Sequence, residues 1–201
     1  MLFDDYEITK QIYHIVSIHD LENTLLHGLE FDDKLSYHTR YYEFHRMIDS
    51  LKPAEIPSWV IRSKAIFASL NYPKEHQFHS HSAILGLKIH PEKCWIANEN
   101  CANQIYEPFV LQNMKEYAPC IHYLQREGKE LLEKYWKTSL SFEDNLKMRY
   151  DQKEGYDAEV LVLHNIEPEN IELKYIISDH RIMDLESWKK CFYCCDLETE
   201  I

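Results

Sequence analysis

The most informative segment of the chain extends from Gln11 to Leu29 and reads QIYHIVSIHDLENTLLHGL. Its β-branched and aromatic residues favour an extended backbone over residues 11–16, and the polar His14 lies inside this predicted strand. The leucines that follow are one helical turn apart, Asp20 is placed to cap their helix, and Gly28 is placed to end it. The segment therefore predicts a strand, a tight turn and a short amphipathic helix.

This segment resembles the opening of ADP-ribosyltransferases. Many members of that family begin with Tyr-His and carry a hydroxyl residue three positions after the histidine, and here these residues are Tyr13, His14 and Ser17. The length and apolar pattern of HDLENTLLHGL are most similar to those of the DarT-type nucleic-acid ADP-ribosyltransferases. DarT-type enzymes often carry Thr-His where this chain has Val16 and Ser17, so the resemblance does not extend to thymidine in DNA as the substrate.

A second segment, residues 155–171, reads GYDAEVLVLHNIEPENI and supports the same resemblance. It places Glu159 at the start of a β-branched and aliphatic run that ends before Pro168. In ADP-ribosyltransferases the catalytic glutamate begins such a strand in an Ala-Glu-Val-Leu-Val context, followed by a short loop with Pro-Glu-x-Ile. The resemblance therefore implies that Glu159 is catalytic. The alternative is a glutamate at a strand edge that faces water.

The chemistry of ADP-ribosyl transfer explains why a carboxylate is needed. Breaking the bond between nicotinamide and ribose creates positive charge on the sugar, and a carboxylate held near it stabilises the transition state more than the ground state. The same group can hydrogen-bond a ribose hydroxyl, and it can act as a general base if the acceptor must lose a proton.

The resemblance also implies where the co-substrate NAD binds. The histidine of the motif, His14, would bond a ribose hydroxyl of NAD, and the main chain of Ile15 would hold the nicotinamide amide, with Ser17 in the same motif. The alternative for His14 is a core histidine satisfied by one backbone hydrogen bond. Tyr13 is expected to pack on the opposite face of the strand.

A third segment, IPSWVIRSKAIFASLNYP at residues 56–73, places Arg62 before a short predicted strand. In the resembling families, an arginine at this place contacts the cofactor phosphates or steadies the catalytic glutamate, and a guanidinium can clamp a pyrophosphate bidentately. Ser69 and Asn71 would line the nicotinamide pocket. The alternatives are a surface arginine and a plain turn at the end of a strand.

Residues 135–156 are predicted to form a loop that leads into the Glu159 strand and that, by resemblance, selects the acceptor. Tyr150 and Tyr156 would stack on a base or flank a protein side chain, with Arg149 beside them. A local basic cluster lies in this loop, made of Lys137, Lys147, Arg149 and Lys153. Because acidic residues are interleaved with it, a salt-paired loop is the alternative.

Composition limits the class of protein. The 201 residues are 45% apolar and 13% aromatic, which suffices for one sizeable core, so we predict a single domain over 1–201. The formal net charge is -12, whereas nucleic-acid-binding proteins usually carry an excess of basic residues. The charge therefore counts against a general DNA-binding protein. It does not exclude an enzyme with a locally basic groove, and a nucleic-acid acceptor is slightly favoured over protein.

No secretory signal and no apolar run near the roughly 20 residues of a membrane span are visible, so a cytoplasmic protein without a membrane partner is expected. The cysteines are then expected to be reduced thiols. Two clusters invite a metal interpretation, but neither has a familiar ligand spacing, and we expect no metal. They are His76, His79 and His81, and Cys191, Cys194 and Cys195.

The pattern along the chain predicts an α+β fold. Strand-like runs occur at 11–16, 65–69, 82–89, 94–97, 158–164 and 171–177. Residues 100–136 have apolar side chains at helical spacing and predict two or three helices, and Asp184 is placed to cap a last helix over 184–193. Strands interrupted by helices favour a split, mostly antiparallel sheet of the ADP-ribosyltransferase type with a helical insertion.

The sequence thus predicts an NAD-dependent mono-ADP-ribosyltransferase that modifies a macromolecular target. By resemblance, such enzymes act as toxins or defence effectors, and a neutralising antitoxin or hydrolase is then a further partner. Two alternatives stay open. One is an RNA 2'-phosphotransferase, which also uses NAD, and the other is a catalytically silent binding module with the same fold.

Overall fold

The computed structural model describes residues 1–31 and 39–193. The strands are β1 (Ile12–Ser17), β2 (Ile66–Ser69), β3 (Ser82–Leu87), β4 (Cys94–Asn98), β5 (Leu140–Ser141), β6 (Ala158–Val162), β7 (Ile171–Ser178) and β8 (Arg181–Met183). The α-helices are α1 (Tyr6–Thr9), α2 (Leu21–His27), α3 (Thr39–Ser50), α4 (Glu99–Leu111), α5 (Pro119–Tyr123), α6 (Lys129–Lys137), α7 (Phe142–Met148), α8 (Tyr150–Glu154) and α9 (Leu185–Tyr193).

The chain divides into two compact units. The first combines Met1–Leu29, Leu70–Ile89 and the segment from Ile166 onward, and the second combines Glu30–Ser69 with His90–Asn165. In each unit the strands pair antiparallel, in the order β1-β3-β7-β8 in the first and β5-β4-β6-β2 in the second. The predicted α+β class with antiparallel strands is confirmed, whereas the ADP-ribosyltransferase type stays a prediction.

The first unit contains the opening strand. In β1, Tyr13 is buried and its ring lies 4.3 Å from that of Phe3, centroid to centroid, so the expectation that Tyr13 packs in a core is confirmed. His14 points to the other face of β1 and is half-buried, with Leu85 of β3 directly opposite. Because side chains alternate along β1, the core residue Tyr13 and the polar residue His14 lie on opposite faces of the sheet.

Glycine and aspartate at the ends of α2 behave differently. Gly28 ends the helix with a φ of +84°, as predicted, and its N–H donates to the carbonyl of Thr24. Asp20 precedes the helix, but its side chain makes no capping hydrogen bond, so that expectation is wrong. The reason is that Asp20 itself has helical φ and ψ rather than the extended backbone of a capping residue.

We expect Gly28→Ala to lower the free energy of unfolding by about 2 kcal/mol or more. The positive φ strains any residue with a Cβ, and the new Cβ would also overlap the backbone of Ile166. A Cβ at Gly28 would lie 2.3 Å from the carbonyl oxygen of Ile166. The matched control is Gly155→Ala, because Gly155 also has a positive φ of +68° but has nothing within 4 Å of its Cβ position. Urea denaturation of both variants measures the difference, and equal losses would contradict the Ile166 contact.

The second unit is built around β6, which has β4 on one side and β2 on the other. Val160, Leu161 and Val162 are fully buried, which explains why this strand reads as a continuous apolar run instead of alternating. Leu161 belongs to a hydrophobic cluster to which helices α3, α4 and α6 also contribute side chains. The Trp136 indole of α6 donates to the carbonyl oxygen of Ile48 in α3 at 3.0 Å. This packing fixes α6 against α3.

The predicted strands are all present, with ends within two residues of the expected ones. Helices α4, α5 and α6 occupy the predicted helical segment, and Asp184 caps α9 by accepting from the Ser187 N–H at 2.7 Å. None of the helices in the described part of the chain is long and apolar enough to cross a bilayer.

The expected loop over 135–156 is wrong, because most of it is helical. It holds the end of α6, then β5, α7 and α8. Helix α7 is capped by Ser141, whose hydroxyl accepts from the Asp144 N–H at 3.1 Å and donates to the Asp144 carboxylate. Phe142 is fully buried and anchors the start of the helix.

Candidate active site

Glu159 lies on an interior strand of the second unit's sheet. It is the second residue of β6, with Ala97 of β4 directly opposite on one side and Ser69 of β2 opposite on the other. The residue is only 7% exposed. The water-facing strand glutamate considered from the sequence is therefore excluded, and a buried carboxylate needs partners.

Arg62 supplies the first partner. Its Nη2 donates to Oε1 of Glu159 at 2.5 Å, and the arginine is 3% exposed. The alternative of a surface arginine is therefore wrong. The two residues are 97 positions apart in sequence, and the fold joins them into a buried, charge-assisted hydrogen bond.

The backbone around Arg62 is held as firmly as its side chain. Residues Arg62–Lys64 form a short 3-10 turn, and the Asp49 carboxylate accepts the N–H groups of Arg62 and Ser63 at 2.8 Å and 2.9 Å. The guanidinium also donates to Nδ1 of His45, and it lies 4.7 Å from the ring centroid of Phe67. Contacts on several sides fix the direction in which Arg62 points.

Tyr135 completes the group around the carboxylate. Its hydroxyl donates to Oε2 of Glu159 at 2.9 Å and accepts from Nε of Arg62 at 3.0 Å, and the side chain is fully buried. Burial, and then the Glu159 charge, raise the pKa of Tyr135 well above its usual value. Burial opposes the charge on Arg62, but Glu159 and Tyr135 outweigh it, so the pKa of Arg62 is raised. Tyr135 thus stays a neutral donor and Arg62 a cation.

The Arg62–Glu159 pair lies in the wall of a pocket of about 200 Å³. The remaining lining is mainly aromatic and consists of Tyr41, Phe44, His45, Phe67, Asn103 and Tyr106. A second, wider pocket of about 450 Å³ shares Asn103 and Tyr106 with it and continues along α4 to Gln104 and Glu107. The buried ion pair therefore lines a mainly aromatic pocket, and a second, more polar pocket adjoins it at Asn103 and Tyr106.

A second carboxylate, Glu99, lies beside Glu159. It is the first residue of α4, its N–H donates to the carbonyl of Asp157 at 3.0 Å, and its side chain is hydrogen-bonded to Asn103. Burial, followed by the charges of Glu159 and Asp157, raises the pKa of Glu99 to about 7. Glu99 therefore titrates near neutral pH, whereas most glutamates are ionised there.

This raised pKa predicts a pH-dependent stability. A glutamate with an ordinary pKa near 4.5 in the unfolded chain and about 7 in the folded one binds more protons when folded, so stability is lost as pH rises through that window. We expect Glu99→Gln to raise the free energy of unfolding by about 1–3 kcal/mol at pH 8 and to leave it nearly unchanged at pH 4. Urea denaturation at both pH values checks this.

The control for that experiment is Glu133→Gln. Glu133 is exposed on α6 and forms only a surface ion pair with Lys129 at 4.0 Å, so its replacement should leave stability within about 0.5 kcal/mol at either pH. A gain from Glu99→Gln that is equal at pH 4 and pH 8 would contradict the raised pKa.

The residues predicted to bind NAD fall in both units. Arg62, Ser69 and Glu159 belong to the second unit, where Ser69 is the strand partner of Glu159. The first unit contains the others, which are His14, Ile15, Ser17 and Asn71. That residues of both units bind NAD stays a prediction.

Two of the residues in the first unit have visible local roles. The Asn71 amide accepts from the Phe3 N–H at 3.0 Å and donates to its carbonyl at 2.7 Å, so it holds the N-terminal segment. The Ser17 hydroxyl accepts from the His19 N–H at 3.3 Å in the turn after β1. Ile15 is exposed.

The residues predicted to bind the acceptor lie near the start of β6. Arg149 is bound to the buried carboxylate of Asp151 at 3.0 Å, and the Tyr156 hydroxyl donates to the carbonyl of Thr138 at 3.0 Å. Tyr150 packs edge-on against Tyr156. Lys147 forms an exposed ion pair with Asp144. The ion pairs of Lys147 and Arg149 match the salt-paired alternative for these two members of the basic cluster. The role of the cluster in acceptor binding stays a prediction.

The histidine and cysteine clusters that invite a metal interpretation can be followed only in part. His76 packs against the rings of Tyr72 and Phe78, and Cys191 is exposed on α9. Cys194 and Cys195 lie outside the described residues. Within residues 1–31 and 39–193, no group of three or more histidine, cysteine or acidic side chains is placed to hold a metal ion.

Several residues of the site were missed from the sequence. They are His45, Glu99, Asn103, Tyr106 and Tyr135. Tyr135 had a local signal, because it lies on the apolar face of an amphipathic helix next to the fully buried Trp136. His45 had none, since nothing local links a helical histidine to an arginine 17 residues later.

Comparison with protein-family models, with curated proteins and with solved structures finds no match for this chain.

Proposed function

We propose that this chain is an NAD-dependent mono-ADP-ribosyltransferase that modifies a macromolecular target. The observation that carries the proposal is the Glu159 carboxylate, buried in the wall of an aromatic pocket and fixed by Arg62 and Tyr135. The resemblance of two sequence segments to ADP-ribosyltransferases supports it. By the same resemblance, we propose a role as a toxin or defence effector.

The chemistry of the pair suits a reaction that develops positive charge. Among the described residues, each oxygen of Glu159 accepts one hydrogen bond, from Arg62 on Oε1 and from Tyr135 on Oε2. A carboxylate has about four acceptor positions, so one on each oxygen is left for a substrate hydroxyl. A fixed negative charge in a poorly hydrated site stabilises a ribosyl cation without first reorganising water.

The pocket suits one end of NAD. Its volume of about 200 Å³ is below the roughly 300–1,000 Å³ of pockets that enclose a whole ligand, so it would take a ring and part of the adjoining sugar. Phe67 and Tyr106 offer faces for a flat ring, and the Asn103 amide offers a donor and an acceptor for a carboxamide. Nicotinamide has both features.

For the acceptor, a nucleic acid is slightly favoured over a protein. Gln104, Asn103 and Tyr106 line the wider pocket, and amides together with an aromatic ring are the groups that read and stack an unpaired base. Among the described residues that line the two pockets, Arg62 is the only lysine or arginine, and it is paired with Glu159. This disfavours the RNA 2'-phosphotransferase, which must bind an RNA phosphate.

The test uses NAD labelled on its adenylate phosphate, incubated with the purified protein and a cell lysate. We expect label to enter acid-insoluble material, and no incorporation above a protein-free control would contradict the proposal. Digestion of the product with nuclease and, separately, with protease identifies the acceptor. Label that survives nuclease but is released by protease means a protein acceptor.

A further inference from the structure

Helix α4 has one buried face and one open face. Cys101, Ala102 and Ile105 are buried in the core of the second unit. The other face is mainly polar, and it consists of residues three or four positions apart, which are neighbours on a helix surface. It lines the wider pocket of about 450 Å³ with Asn100, Asn103, Gln104, Tyr106 and Glu107. The pocket is therefore built on a helix that the core holds in place.

The wider pocket adjoins the pocket of the Arg62–Glu159 pair. Asn103 and Tyr106 line both pockets, so the two share a wall. None of the described residues that line either pocket belongs to residues 135–156, the segment to which the resemblance assigns acceptor selection. The described surface that leads away from the ion pair is therefore the polar face of α4.

The polar groups that this face presents at Gln104 and Glu107 are hydrogen-bond acceptors. The side-chain N–H of Gln104 donates to the main-chain carbonyl of Asn100 at 3.1 Å, which leaves the amide oxygen of Gln104 as the group for a ligand. Glu107 is exposed one turn further along, and an ionised carboxylate can only accept. The Asn100 side chain is bound at both ends to Asp157, at 2.7 Å and 2.9 Å. A ligand of this pocket must therefore supply the donors.

The charge and size of the wider pocket restrict its ligand further. Glu107 is the one charged side chain among its described lining residues, so a phosphate would be repelled and a nucleic-acid strand could enter only with a base. Tyr106 offers a ring on which a base can stack, and Phe44 supports that ring edge-on at 5.1 Å between centroids. The volume of about 450 Å³ is within the range of pockets that enclose a ligand, so there is room for a base and its sugar.

We propose that the polar face of α4 is the acceptor pocket, and that Gln104 and Glu107 select an unpaired base that carries an exocyclic amino group. This assignment rests on the proposed function and names the chemistry of its acceptor. Cytosine, adenine and guanine carry such an amino group, whereas uracil and thymine carry carbonyl oxygens in its place, which a carboxylate repels. A base stacked on Tyr106 lies against the wall that the wider pocket shares with the pocket of the Arg62–Glu159 pair.

The test uses short single-stranded oligomers of deoxyuridine that carry one central cytosine, adenine or guanine, and the all-uracil oligomer is the reference. Each is incubated with the pure protein and NAD labelled on its adenylate phosphate. We expect the parent to label at least one amino-bearing oligomer about 10-fold or more faster than the reference, because one well-placed hydrogen-bonding pair discriminates by about that much. Glu107→Lys exchanges an acceptor for a donor and should reduce this preference to about threefold or less, and Gln104→Leu should also lower it.

The matched control is Glu133→Lys, which makes the same exchange at an exposed position of α6 outside both pockets and should keep the preference of the parent. A parent that releases no nicotinamide overturns the proposed function, and this assignment with it. A parent that releases nicotinamide but labels only protein in a lysate overturns the assignment alone. An unchanged preference in Glu107→Lys and Gln104→Leu, both shown by thermal melting to be folded, overturns it as well, because the choice of base would then be made elsewhere.

Discussion

Glu159→Gln is expected to lower nicotinamide release from NAD by about 100-fold or more, because it removes the charge that stabilises the developing cation while keeping the size of the side chain. Binding of NAD is expected to stay within a few-fold, since the amide oxygen still accepts hydrogen bonds. Single-turnover release of nicotinamide and titration of NAD binding measure the two quantities separately. Equal activity of variant and parent would remove Glu159 from the mechanism.

The burial of Glu159 makes a stability control necessary. The Gln variant leaves the Arg62 charge without its carboxylate, which we expect to cost about 1–3 kcal/mol. The assay is therefore made at a temperature at which circular dichroism shows the variant to be folded. Glu172→Gln is the matched control, since Glu172 is a strand glutamate of the first unit that is exposed and pairs with Lys174.

Arg62→Met is expected to lower the free energy of unfolding by about 3–5 kcal/mol, the usual cost of leaving one member of a buried ion pair without its partner. The double variant Arg62→Met/Glu159→Leu should recover much of this loss, since apolar residues often replace a buried pair at little cost. Urea denaturation of the two single variants and the double variant gives the coupling energy. A loss below about 1 kcal/mol in Arg62→Met would contradict the buried pair.

The strands and both members of the Arg62–Glu159 ion pair were predictable from the sequence. Glu159 and Arg62 were both identified from local motifs, because the aliphatic run of β6 and the short strand after Arg62 are readable without tertiary information. That they bind each other was one of two roles that the resemblance offered for the arginine. The contact joins residues 97 positions apart, and only the packing of β2 against β6 brings them together.

The other site residues could not be predicted from local sequence patterns, because their roles depend on tertiary contacts. His45 and Tyr135 look like ordinary members of amphipathic helices, and their polar atoms acquire a role only where α3 and α6 meet Arg62. Glu99 looks like a first-turn glutamate, and its raised pKa depends first on burial and then on the charge of Glu159, neither of which is visible in the local sequence. Helix α7 is different, because Ser141 followed by two acidic residues is a local signal for the start of a helix.

The most direct test of the proposed function measures nicotinamide release from NAD by the pure parent protein and by the Arg62→Met/Glu159→Leu variant, both shown to be folded. The double variant keeps the packing of the pocket wall but has neither charge. We predict steady release by the parent and none above the uncatalysed rate by the variant. No release by the parent, or equal release by both proteins, would contradict a catalytic role for the Arg62–Glu159 pair.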